Sequence, residues 1–261
     1  MNAATPLALK PSRDRKVSPY SVWRNAAQRW EPAVANSIGL PAGPPSAGGS
    51  CTGATEFCEG CYADTIETCF PSVGRLVNHN LEILKGHGSK VSALADSLRP
   101  LVDAFLVECW KAERKTGRTV ERVYRIHWDG DFYSRPYAAA WALVMAEYPM
   151  IQFWLYTRSF NVVDLFAGVT NVAVYLSVDE GNVKAAKRCK AKNPFVHLAF
   201  CAQTWEGTEE LASRFPDERR GPRCPELTGK IPLVDSNGVG ACVTCGLCLY
   251  GRNNVRFAVK H

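Results

Sequence analysis

The stretch Val120–His127, VERVYRIH, alternates apolar and polar side chains and is rich in β-branched and aromatic residues, the pattern of a half-buried strand. The segment before it has a different period. Val91–Arg114 puts Leu94, Leu98, Leu101, Phe105 and Trp110 on one helical face, and Pro100 is expected to kink that helix or split it. Downstream of His127 the two periods take turns. Tyr137–Glu147 reads as helix, Ile151–Tyr156 (IQFWLY) as strand, Val162–Phe166 as a short helix and Val172–Ser177 (VAVYLS) as strand. Asn182–Lys190 then reads as a short basic helix, Phe195–Cys201 (FVHLAFC) as strand and Thr208–Phe215 as a last short helix. Strands and helices alternating over short connections imply βαβ units around a parallel sheet, either a partial (β/α) barrel or an open doubly wound sheet.

Upstream, an apolar stripe from Ile66 to Leu84 predicts helix, interrupted by Pro71 and Gly74 and ended by Gly86 and Gly88. Asn36–Leu40 (NSIGL) predicts a first strand, which runs into the Pro/Gly/Ser stretch PAGPPSAGGS. Trp23–Trp30 predicts a short helix with both tryptophans turned inward. Beyond Pro222 the chain is rich in Gly and Cys and ends in a predicted strand, Val255–Val259. Three parts follow: a basic arm (1–35), an α/β domain (36–222) and a C-terminal cysteine-rich module (223–261).

The 261 residues are 46% hydrophobic and 10% aromatic, enough for a buried core, so wholesale disorder is excluded. No apolar run reaches eighteen residues and the N-terminus has no signal-peptide core, so no membrane association and a cytoplasmic location are expected. The net charge of +6 is uneven: Lys10, Arg13, Arg15, Lys16, Arg24 and Arg29 face only Asp14 and Glu31, so the arm alone carries +4. Such an arm can contact nucleic acid or a host protein, or it can be a solvated, partly mobile tail.

Eleven cysteines in a chain of this kind favour metal or cluster ligation over disulfides. Seven fall in two groups. Cys51, Cys58 and Cys61 lie in CTGATEFCEGCY as C-x6-C-x2-C, three thiols on one loop that can share a metal or a cluster and leave one coordination position for another ligand. The alternative is a structural zinc with a distant fourth ligand. Cys242, Cys245 and Cys248 form C-x2-C-x2-C, and Cys224-Pro225 supplies a remote fourth thiol in ferredoxin-like fashion. That site suits a second cluster, with zinc as the alternative; a further arrangement has one of its cysteines completing the first site. Cys69, Cys109, Cys189 and Cys201 are read as ordinary buried thiols, and His197 as a core histidine.

The cysteine loop, followed by Tyr-Ala, resembles that of radical-SAM-like iron–sulfur proteins encoded in phage and prophage genomes. The likeness extends to HWDGDFYS (His127–Ser134), FWLYTRS (Phe153–Ser159) and YLSVD (Tyr175–Asp179), in that order. The C-x6-C-x2-C spacing departs from the C-x3-C-x2-C usual in the wider superfamily. The resemblance implies a radical-SAM-like partial (β/α) barrel, a 4Fe-4S cluster on Cys51, Cys58 and Cys61, and S-adenosylmethionine as a candidate ligand of the open iron. It puts the acidic turn holding Asp129 and Asp131 where the superfamily's turn holds the cofactor's amino group; the same residues also suit an ordinary capping turn. Thr157, Arg158, Ser159, Ser177, Asp179, Gln203 and Glu206 all follow strands and are expected on the same face as the loop. Arg158, with its planar fork, is the strongest carboxylate or phosphate clamp among them. Asp129, Asp131, Arg158 and Ser177 are therefore the expected pocket residues. The expected function is that of a phage-type iron–sulfur protein, a candidate radical enzyme acting on an unidentified substrate. The rival is a non-enzymatic iron–sulfur or zinc protein that binds nucleic acid or a host protein.

Overall fold

The computed structural model describes residues 8–259. Trp23–Trp30, expected as helix, is instead a hairpin of β1 (Ser21–Arg24) and β2 (Arg29–Pro32). Gln28 turns the chain with φ 47°, and Trp23 and Trp30 pair across the strands with ring centroids 5.5 Å apart. The two rings bury more of each other across a hairpin than they would one above the other on a lone helix with no body to cover it.

The body is one six-stranded parallel sheet: β3 (Ser37–Gly39), β4 (Val123–Asp129), β5 (Gln152–Thr157), β6 (Val172–Val178), β7 (His197–Ala202) and β8 (Val255–Ala258). The strands neighbour one another in sequence order, without the reversal that defines a doubly wound sheet. Strand β8 pairs with β7 from Ala199↔Val255 to Ala202↔Ala258, so the last strand of the cysteine-rich tail is the sixth strand of the main sheet.

Among the described residues seven α-helices connect or flank the strands: α1 (Tyr62–Cys69), α2 (Pro71–Gly86), α3 (Val91–Thr116), α4 (Arg135–Glu147), α5 (Val183–Lys192), α6 (Trp205–Ser213) and the short α7 (Ala241–Cys245). Pro71 opens α2, where its missing N–H costs nothing. Pro100 lies within α3 and does not split it, because Leu94, Leu98, Leu101, Val102 and Phe105 are buried on both sides of it. Strand β4 starts three residues later than its alternation suggested, since the Val120 amide is held by Glu113 Oε1 (3.1 Å) at the end of α3.

Strand periodicity of two produces two cores. Tyr124, Ile126, Phe153, Leu155, Val174, Leu176, Leu198 and Phe200 face the helices, with Phe105 of α3 and Trp141 of α4 among their partners. Val123, Trp154, Ala173, Tyr175 and Ala199 face the other way, onto Val17, Leu249 and the thiols of Cys224, Cys242 and Cys248.

From residue 8 onward the arm is not a loose tail. Ser12 and Ser37 exchange backbone hydrogen bonds at 2.8 and 3.2 Å, and Val17 is fully buried. Four of its six cations are ion-paired: Arg13 with Glu108, Lys16 with Glu226, and Arg24 and Arg29 with Glu31. Its Asp14 pairs in turn with Arg125 of β4 at 2.9 Å, both side chains being about 15% exposed (16% and 14%). Among the described residues no helix is long and apolar enough to cross a membrane.

The Asp14–Arg125 pair ties arm to sheet, and removing one partner leaves a mostly buried charge uncompensated. Asp14→Ala is expected to cost about 3 kcal/mol in denaturant unfolding, whereas Glu31→Ala, in exposed pairs, should cost under about 1 kcal/mol. Equal losses would mean that the arm is only loosely attached.

Candidate iron–sulfur site at the strand ends

The first cysteine loop lies over the carboxyl ends of β4, β5 and β6, and small polar side chains fasten it there. The Ser50 hydroxyl accepts from the Asp131 amide (3.0 Å) and donates to the Pro41 carbonyl (2.8 Å). Thr52 Oγ1 meets Ser159 Oγ at 2.7 Å, and Thr55 Oγ1 donates to Asp179 Oδ2 at 2.8 Å. Gly53 is pressed so closely on β5 that a Cβ there would stand 1.9 Å from the Arg158 carbonyl oxygen. Gly130, with φ 74°, makes the tight turn after β4, where a Cβ would meet Ser50 and the Leu40 carbonyl.

Within the loop, a one-turn 3-10 helix (Glu56–Gly60) runs into α1, placing Cys58 and Cys61 on consecutive turns. Cys51, Cys58 and Cys61 are free and half-buried. Burial pushes the Cys51 thiol well up, helped by the nearby Asp131, Cys61 and Cys58. Burial also raises Cys61, while N–H groups of Asp64 and Ala63 at the start of α1 pull it back. As placed, no three Cys, His, Asp or Glu side chains among the described residues converge on a single metal ion.

The two carboxylates of the acidic turn have different jobs. Asp131 is fully engaged: it accepts from Thr157 Oγ1 (2.7 Å) and from the amides of Phe132 (2.7 Å), Arg158 (2.7 Å) and Ser159 (3.2 Å). It is a clasp between the ends of β4 and β5. Asp129 is 2% exposed; its polar neighbours are the Glu67 carboxyl and the Gly130 amide, and beyond these neither of its oxygens has a hydrogen-bond partner. Burial, with the Glu67 carboxyl of α1 beside it, pushes its pKa up to about 8. Arg158 directs Nε (3.0 Å) and Nη2 (2.9 Å) at Asp179 Oδ2, and its guanidinium lies 5.4 Å from the centre of the Phe57 ring. Ser177 is nearly buried on the sheet face shared with Tyr175, while Gln203 and Glu206 are exposed.

Glu67, Phe57 and Cys201 also belong here and had no distinguishing mark in the sequence. Cys201 lies within electrostatic reach of Arg158, Asp179 and Cys58, so it is not one of the scattered thiols; Cys69 is exposed, and only Cys109 and Cys189 are buried. His127, in the left-handed region (φ 61°), packs on Phe132 and Tyr137, and burial lowers its pKa to about 3.

The second cysteine group is assembled on the non-helical face of the sheet. Cys224, Cys242, Cys245 and Cys248 line one cavity of about 40 Å³ together with Tyr156, Leu247 and Phe257. Tyr175 OH donates to the carbonyls of Asn253 (2.9 Å) and Leu247 (3.3 Å), pinning the loop to β6. Burial raises Cys248 to about 12, and the Tyr156 hydroxyl, hydrogen-bonded to it, opposes that rise. Lys16 and Arg125 are the cations near Cys242.

Two outcomes test this geometry. Gly53→Ala should destabilise the chain by about 2 kcal/mol or more and speed alkylation of Cys51, Cys58 and Cys61, because backbone on β5 cannot yield as a side chain can. Gly60→Ala, which meets nothing within 4 Å, should do neither. In the metal-free chain, the Asp129–Glu67 pair keeps a proton where the unfolded chain has lost it. Stability should therefore fall as pH rises from 3.8 to about 8. Asp129→Asn should flatten that fall, which is at most about 1.4 kcal/mol per pH unit. Urea unfolding across this range reads it, and a wild-type curve as flat as the variant's would show Asp129 ionised throughout.

The family model described as Gene product 88 matches residues 9–251, a span that includes both cysteine groups. The Gene 88 protein of Mycobacterium phage L5 is 36% identical over 254 residues, covering 96% of this chain and 97% of that protein. The Gene 88 protein of Mycobacterium phage D29 is 36% identical over 255 residues, covering 96% and 98%. No solved structure matches the chain. With a family match over nearly its whole length and phage relatives matched end to end, the chain belongs to the Gene product 88 family of phage-encoded proteins.

Proposed function

We propose that this phage-family protein is a radical-SAM-like iron–sulfur enzyme of the host cytoplasm, in which Cys51, Cys58 and Cys61 hold a 4Fe-4S cluster and S-adenosylmethionine takes the iron that the loop leaves free. The observation that carries the reading is Asp129. A carboxyl buried beside a second carboxyl, as Asp129 is beside Glu67, is costly to ionise, and that cost is relieved by a cation that brings its own hydrogen-bond donors. Asp129 lies within electrostatic reach of Cys61, and the ammonium of S-adenosylmethionine has the chemistry that such an acidic pair calls for.

The other residues have supporting parts. Asp131 keeps the ends of β4 and β5 together under the loop. Arg158, already neutralised by Asp179, keeps donors near Cys58 and backs the Phe57 ring. Ser177, buried on the face of β6 shared with Tyr175, would be the remaining pocket residue. The half-buried loop, anchored at three strand ends, limits water around the thiols. A sheet in sequential order, with its main helical core on one face, suits a partial (β/α) barrel. When bound, such a group supplies one-electron reductive cleavage of the sulfonium cofactor. The four C-terminal thiols, which line one cavity, match in number the ligand set of a second cluster or of a structural zinc.

Anaerobic reconstitution with iron and sulfide tests the proposal. Iron should bind at about four per occupied cluster. S-adenosylmethionine should shift the reduced cluster's EPR signal, and dithionite should then yield 5′-deoxyadenosine. Asp129→Asn should keep the iron and lose the shift, while Cys58→Ser should lose the iron of this site. Zinc without iron at both cysteine groups, or an iron-loaded protein with neither shift nor cleavage, would overturn the reading.

A further inference from the structure

We infer that α5 is a nucleic-acid-binding surface that engages the phosphate backbone. Its ten residues, VKAAKRCKAK, hold five cations and no acid. Val183, Ala186 and Cys189 face the core, while Lys184, Lys187, Arg188 and Lys192 are exposed. The spacing of those four, at i, i+3, i+4 and i+8, makes one stripe about 12 Å long. Over that length a duplex presents about seven phosphate charges.

Among the described residues no acid neutralises this stripe; Lys187 Nζ rests over the Phe215 ring, 5.5 Å from its centre. None of the four has an ion pair among the described residues, and Glu180, Asp164 and Glu218 pair elsewhere, with Arg214, Arg135 and Lys190. Lys190 is spent on Glu218 and on the carbonyls of Pro194 (3.0 Å) and Val196 (2.7 Å). Like charges at these spacings destabilise a helix by about 0.2–0.5 kcal/mol per pair. Lys184 sits in the first turn, where the helix dipole also disfavours a cation. The exposed cations of α3, Lys111, Arg114 and Lys115, gather near its C-terminal end, where the dipole favours them. An external polyanion is the missing partner on α5. The N-terminal arm, basic in sequence, is a poorer candidate because most of its cations are already paired.

The place of the stripe adds to the argument. Helix α5 leaves the turn in which Asp179 holds Thr55 of the cysteine loop, and a Cβ on Gly181 would stand 3.2 Å from Thr55. A strand lying along α5 therefore passes the rim of the first cysteine site. That nucleic acid is also the substrate class of that site rests on the function proposed above; the binding surface does not.

Fluorescence anisotropy of the full chain with 25-nucleotide single-stranded DNA, single-stranded RNA and a 25-bp duplex, before and after iron–sulfide reconstitution, tests the surface. Four phosphate contacts on duplex give a log–log salt slope near −3.6, a loss of roughly a hundredfold between 50 and 200 mM salt. The variant Lys184→Ser/Lys187→Ser/Arg188→Ser/Lys192→Ser should lose at least about tenfold in affinity and most of that slope, with unchanged circular dichroism. A control removing the same charge from another place, Lys111→Ser/Arg114→Ser/Lys115→Ser/Arg118→Ser, should bind as the parent does. Equal losses in both variants, no loss in the first, or binding to anionic phosphatidylserine vesicles but to no oligonucleotide would overturn the inference. A chain that binds oligonucleotides through α5 but cleaves no S-adenosylmethionine keeps the surface and loses only the enzyme reading.

Discussion

The carboxylate of Asp131 is the fastening on which the rest of the site depends. Buried at the end of β4, it accepts a hydroxyl from Thr157 and amides from Phe132, Arg158 and Ser159. Hydrogen bonds to a charged group contribute about 1.5–3 kcal/mol each, so this one side chain sets the relative positions of two strand ends. The Asp131 amide binds Ser50, which joins the cysteine loop to the same clasp. Gly53 lies against Arg158, whose amide the clasp holds, and Thr55 is held by Asp179, the partner of Arg158. The thiols therefore sit on a rigid edge although they are carried by a loop.

The division of labour between Asp129 and Asp131 follows from strand geometry. Both were expected to line a pocket, and both are buried at the same turn. Positive φ at Gly130 reverses the chain between them, so Asp131 turns into the backbone amides just beyond β5 while Asp129 stays among the strand-end side chains near Glu67 and Cys61. One carboxylate is consumed by backbone amides, and the other faces the carboxyl of Glu67.

The two cysteine groups are also one construction. The tail that carries the second group ends in β8, a full strand of the sheet, and its thiols pack on Tyr156 and Tyr175. Arg125, held by Asp14 of the arm, lies between the β4 end that carries Asp129 and the cavity of the second group. Arm, sheet and tail therefore meet on the non-helical face.

Much of this was legible in the sequence for local reasons. Side chains alternating every second residue mark strands whatever their partners, so β4 to β8 were recognisable to within a few residues, as were the parallel α/β class and the two cysteine groups, whose spacing is covalent. What depended on contacts between distant segments was not. The hairpin of Trp23 and Trp30 needs a cross-strand partner, the sequential strand order is a choice among crossovers, and the pairing of the arm's cations draws on Glu108 and Glu226, far away in sequence. Glu67 and Cys201 carry no motif and join the site only because α1 and β7 bring them there. Composition and period are properties of neighbours along the chain, whereas the loss of a charge to a partner or to a proton, as on Asp129, or its survival as on α5, is decided only when the chain folds.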